Sequence, residues 1–129
     1  MSDAATMRHY AALFVSIFFN AASLILAKKA MDGDVVPPGA LSSIGGWIRI
    51  ILSPFIIGAI LCMAVSFFTW IYSLSAIDLS LAYPSAALSY VLIALASILF
   101  FSEHISPLRW TGIAVVTIGI SIMYLDGGR

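Results

Sequence analysis

Charge is scarce in this sequence. Of 129 residues only 9% are Asp, Glu, Lys or Arg, against 62% hydrophobic residues, whereas a soluble domain carries roughly a quarter charged residues. That shortfall excludes an ordinary soluble domain. The six basic residues, balanced by six acidic ones, form no stripe for nucleic acid. Cysteine is scarcer still: Cys62 stands alone, so an intrachain disulfide is excluded and the redox compartment is not legible. His9 has no second ligand at metal-binding spacing, and His104 follows Glu103 directly, which points the two side chains apart on any helix. No phosphate-cradling glycine loop, paired carboxylate or nucleophile elbow occurs, so the sequence argues against an enzyme and offers no cofactor or metal site.

What is present is long apolar runs. A bilayer core of about 30 Å takes roughly 20 helical residues to cross, and a charge at its centre costs at least about 2.5–3.5 kcal/mol. The charges therefore mark span ends. Arg8 precedes a run ending at Lys28 and Lys29; Arg49 precedes one ending at Asp78; a third runs from Leu79 to Glu103; the fourth lies between Arg109 and Asp126. The reading is an all-α, integral membrane four-helix bundle in one domain over 1–129, with helices near 9–29, 50–75, 79–101 and 108–125. The first run has the basic start of a signal peptide, but it is too long and lacks a small-residue cleavage site before Lys28, so it is expected to remain as a span.

The stretch MDGDVVPPGALSSIGG, residues 31–46, is the long connector; its Pro37-Pro38 pair and glycines forbid a continuous helix. The links at 76–78 and 102–107 are short, making helices 2, 3 and 4 antiparallel neighbours. Arg8 and Arg129 fall on one side of the membrane, Lys28, Lys29, Arg49 and Arg109 on the other, so the basic rule favours the latter as cytoplasmic. A dual-topology protein would show an equally small bias.

Three spans carry a face that lipid would not select. Ser16, Asn20 and Ser23 share one face of helix 1 with Ala12 and Ala27; Gly58, Cys62, Ser66, Thr69 and Ser73 share one in helix 2, near Phe67, Phe68, Trp70 and Tyr72. Helix 3 has two stripes, Tyr83, Ala87, Tyr90, Ala94 and Ser97 beside Ser85 and Ser89. Small and hydroxyl residues are ordinarily packing surfaces. Asn20 is different, because a mid-membrane amide needs partners: either another helix or a polar substrate. Pro84 removes the bond to the Ser80 carbonyl and loosens the start of helix 3, and carbonyls so freed need protein, water or ligand. Tyr83 and Tyr90 bring hydroxyls to that region, or serve the interfacial aromatic belt. Gly112 and Gly119, seven apart, share a face of helix 4 that suits either a dimer contact or packing within the unit.

The block from Leu81 to Met123 resembles the second half of the four-helix proteins of the drug/metabolite transporter superfamily, and in particular the subunits that flip aminoarabinose attached to undecaprenyl phosphate. The matching residues are Ala82-Tyr83-Pro84, Glu103, Ser106-Pro107, Trp110, Gly112 and Gly119, with a looser match at NAASLILAKKAM in helix 1. Small multidrug exporters share this four-helix plan with a coupling acid in helix 1. Here the nearest position holds Asn20, and an amide cannot take up and release a proton.

The resemblance implies a flippase for a polyprenyl-phosphate-linked sugar, such as undecaprenyl phosphate-aminoarabinose, working in the bacterial inner membrane without proton coupling. Asn20, Ser85 and the aromatic residues Trp70, Tyr83 and Tyr90 are expected to line a sideways-open cleft for the sugar. Lys28, Lys29, Arg49 and Arg109 are expected at the phosphate, with Lys28 or Lys29 preferred. Glu103 is expected to hold a sugar group or pair with a cation such as Arg109. Four helices cannot enclose a polar head on all sides, so the partner is a second copy or a sister small subunit, beside the glycolipid and the bilayer. The alternatives are a small-solute or cationic drug exporter, and a non-transporting subunit that organises a glycosyltransferase.

Overall fold

The computed structural model describes residues 3–32, 36 and 39–125. The Pro37-Pro38 pair and Arg129 lie outside these residues. Helix α1 covers Asp3–Met31, α2 Ile44–Ile51, α3 Pro54–Leu74, α4 Leu79–Ser85, α5 Ser89–Phe101 and α6 Pro107–Leu125. Short 3-10 turns occupy Ala40–Ser42 and Ala86–Leu88, and there is no strand among the described residues. Four segments are long and apolar enough to cross a bilayer: Thr6–Met31, Pro54–Leu74, Leu79–Phe101 and Pro107–Leu125. The protein is a four-span α-helical membrane bundle.

The second span begins later than the expected residue 50. Ser53 precedes a proline, which disfavours helical backbone; it is extended, at φ −62° and ψ 133°, and Pro54 starts α3 at a position that needs no amide hydrogen. Upstream, the Ser43 hydroxyl accepts the Gly46 N–H at 3.1 Å and starts α2. Helix α2 buries Ile50 with Val36, while Ile44, Trp47, Ile48 and Ile51 are exposed. Its apolar surface and its tryptophan suit the boundary between lipid and water.

Helices α1 and α3 make the most extensive contact in the bundle. Small buried residues recur every seven positions on both, Ser16, Ser23 and Ala30 on one and Ala59, Ser66 and Ser73 on the other, a spacing that keeps them on one seam. The helices run antiparallel: His9 meets Tyr72, Ser66 meets Ser16, and Leu26 meets Gly58. A Cβ on Gly58 would lie 3.4 Å from Leu26 Cδ1. Most seam hydroxyls are satisfied on their own helix, Ser16 donating to the Leu13 carbonyl, Ser23 to Asn20 and Ser73 to Trp70, at 2.7–2.8 Å. Ser66 instead donates across the seam to the Ser16 carbonyl at 2.8 Å. At one end the His9 ring stacks on Tyr72 at 4.6 Å, and its Nδ1 lies 3.1 Å from the Tyr72 carbonyl oxygen.

The third span bends away from regular geometry after Pro84. Helix α4 gives way to the 3-10 turn at Ala86–Leu88 before α5 resumes. The apolar core lies beside the turn joining α3 to α4, where Leu13 and Ile17 pack with Ile77, Leu81 and Ala82. Helix α5 ends at Ser102 in left-handed backbone, φ 51°, and the Glu103 N–H closes the end on the Ser97 carbonyl at 3.1 Å. On α6, Ile120 is buried. A Cβ on Gly112 or Gly119 would meet nothing within 4 Å among the described residues.

Candidate functional site

A cavity of about 650 Å³ lies between α1, α3 and the third span. Its walls follow helical spacing. Ser16, Ile17, Asn20 and Leu24 come from α1; Met63, Ser66, Phe67 and Trp70 come from α3; the third span gives Tyr83, Ala86, Ala87, Ser89, Tyr90 and Ile93. Phe67, Tyr83 and Tyr90 are 59%, 71% and 56% exposed, so the cavity opens on the flank of the bundle, where acyl chains would lie. The Trp70 and Tyr83 rings meet edge to face at 6.3 Å and 75°. Asn20 and Tyr90 both line this space, and the side chain of neither makes a hydrogen bond to any described residue. Asn20 thus forms no side-chain bond to another helix among the described residues. No carboxylate, histidine or lysine is among the described residues lining the cavity.

A smaller cavity, about 170 Å³, adjoins the first through the shared residues Tyr90 and Ile93. It is lined further by Ala94, Ser97, Glu103, Ile105, Arg109 and Ile113. Together the two cavities track the third span from Tyr83 to the α5–α6 link. Lys28 stands one turn beyond Leu24 on α1, hence on the same face. Its ammonium is ion-paired with Glu103 and lies 4.7 Å from the Phe101 ring centroid.

Several expected site residues are placed elsewhere. Ser85 is fully buried and turned from the cavity; its hydroxyl donates to the Leu81 carbonyl at 2.6 Å and lies 2.9 Å from the Tyr124 hydroxyl on α6. The reason is the 3-10 turn. Each of its residues turns about 120° instead of 100°, so Ser85 and Ser89, neighbours on a uniform helix, separate by about 60° more and only Ser89 faces the cavity. Glu103 pairs with Lys28 and not with Arg109. Lys29 points away from Lys28, its ammonium 5.5 Å from the Phe55 ring, because adjacent helical residues diverge. Arg49 is exposed on α2 and lines neither cavity. Met63 and Phe67 were not among the expected ligands, yet with Ser66 and Trp70 they complete an i, i+3, i+4, i+7 face. That periodicity was the available signal.

Four apolar spans around a cavity that opens to lipid and sets a few polar residues in a mostly apolar wall define a membrane protein of the carrier class. The EamA-like transporter family matches residues 4–125, and the chain belongs to that family. Among curated proteins it is 34% identical over 71 residues to a probable 4-amino-4-deoxy-L-arabinose-phosphoundecaprenol flippase subunit ArnE of Aeromonas hydrophila, covering 55% of this chain and 62% of that protein. The same description belongs to a relative in Aeromonas salmonicida, 34% identical over 73 residues, 57% of this chain and 64% of that protein. A third, in Pseudomonas savastanoi pv. phaseolicola, is 36% identical over 62 residues, 48% of this chain and 54% of that protein. The matched stretch thus spans between half and two thirds of these relatives. No solved structure matches the chain.

Proposed function

We propose that this membrane transporter is a flippase, or a flippase subunit, for a polyprenyl-phosphate-linked sugar such as 4-amino-4-deoxyarabinose-phosphoundecaprenol, and not an enzyme. The observation that carries the proposal is the flank-open cavity with the unpartnered Asn20 amide and Tyr90 hydroxyl on its wall. Its 650 Å³ falls within the roughly 300–1,000 Å³ of small-ligand sites. A sugar head can shelter there, exchanging water for hydroxyl, amide and ring contacts, while the polyprenyl tail stays among acyl chains through the open side. Lys28 and Arg109, at the end of the paired cavities, supply cations for the phosphate.

The larger cavity is lined by no carboxylate, histidine or lysine among the described residues, and Glu103 in the smaller one is ion-paired with Lys28, which supports transport down the lipid gradient without proton coupling. Four spans leave a polar head incompletely enclosed, which favours a second protein beside this one, either another copy joined through the Gly112 and Gly119 face or a sister subunit. The relatives are bacterial proteins, and a polyprenyl-phosphate-linked sugar as substrate supports the bacterial inner membrane as the location. Purified protein in liposomes should move the head of the lipid-linked sugar between leaflets with no change in lumenal pH. Resistance to cationic drugs without lipid movement would instead favour the exporter alternative. Co-purification with a glycosyltransferase, without movement, would favour an organising subunit.

A further inference from the structure

Resting on that flippase reading, we propose that the Lys28–Glu103 ion pair is a charge-exchange latch, selecting lipids whose head carries a protonated amine as well as a phosphate. The pair joins the last turn of α1 to the link after α5. It lies at the end of the cavity system where Glu103 lines the smaller chamber together with Arg109, Ser97 and Tyr90. Both side chains are partly open, at 40% and 42% exposure, so an incoming head reaches them without local unfolding.

The energetics favour a particular ligand chemistry. Separating two charges near a low-dielectric boundary is costly unless each finds a new partner. A phosphate offered to Lys28 and an ammonium offered to Glu103 replace one ion pair by two. A head with phosphate alone satisfies Lys28 but strands the Glu103 carboxylate beside incoming negative charge. A neutral sugar satisfies neither partner. Phe101 keeps the Lys28 ammonium on its ring face, so the cation remains partly held while the carboxylate is exchanged. Arg109 on the same chamber wall offers the phosphate a second cation. This assigns Glu103 to the amine and makes it the specificity-determining residue. An amino-sugar polyprenyl phosphate carries the required pair of charges; phosphatidylethanolamine carries the same pair on a different tail.

The test is competitive binding, independent of transport. The full-length protein, purified in detergent, is presented with equal amounts of undecaprenyl phosphate 4-amino-4-deoxyarabinose and its N-acetyl derivative, and bound lipid is read by native mass spectrometry. Loss of one charge-assisted contact predicts a preference of about tenfold or more for the free amine. Glu103→Gln should bring that ratio to within about twofold, whereas Glu103→Asp should retain most of it, which separates charge recognition from misfolding. A ratio near unity in the wild type, or one unchanged by Glu103→Gln, overturns the latch. Phosphatidylethanolamine forms the third arm. Equal competition by it supports the latch while overturning the polyprenyl reading; failure to compete supports both.

Discussion

Replacing Asn20 by Leu separates the functional account of this residue from a structural one, because the two predict opposite signs. The side chains are similar in size, and the native amide is half-buried on the cavity wall with no hydrogen bond to any described residue. Removing it breaks no internal bond and leaves no partner stranded. Folding stability should stay level or rise by up to about 1 kcal/mol, since a polar group ceases to be held in a mostly apolar wall. Transport should fall about tenfold to a hundredfold, the equivalent of roughly 1.5–3 kcal/mol for hydrogen bonds to a charged or strongly polar head. Stability is measured by reversible unfolding in mixed micelles, and transport by the accessibility of the sugar head in liposomes. A loss of stability above about 1 kcal/mol with unchanged transport would refute the reasoning and return Asn20 to a structural role.

Three further perturbations test the architecture. Ser66→Ala removes the bond to the Ser16 carbonyl across the seam and should cost about 0.6 kcal/mol in micelle unfolding, the average for such bonds between membrane helices. Ser102→Gly relieves the left-handed backbone at the end of α5 and should raise stability by up to about 1 kcal/mol in the same assay. Gly119→Leu enters open space, so unfolding of the chain should shift by no more than about 0.5 kcal/mol. Chemical crosslinking should nevertheless lose its dimer band if the glycine face is the contact.

The spans were legible because their signal is length and hydropathy, quantities that survive without knowledge of tertiary contacts. Arg49 shows the limit. A charge marked the end of an apolar run, but the backbone rule at Ser53-Pro54 moved the span start and left Arg49 on a separate surface helix. The faces of Asn20 and Trp70 were equally legible, since regular helical spacing puts them where the cavity is, and Tyr83 and Tyr90, seven apart, both stay on its wall despite the overwound turn between them. Ser85 was not. Its face depends on overwinding at residues 86–88, and a proline announces that a helix will be disturbed without fixing how many residues tighten. The Lys28–Glu103 pairing could not be read either, because it joins residues 75 positions apart through the relative height of two helices.

The polar ties of α1 are unevenly distributed along its length. Near its beginning, ring stacking and a carbonyl contact anchor His9 to Tyr72, and midway Ser66 reaches the Ser16 carbonyl. At its far end the tie to the α5–α6 link is an ion pair that solvent or a ligand can replace. Exchange of that one tie leaves the Lys28 end of α1 held by its apolar seam, through Leu26 against Gly58 and the buried Ala30.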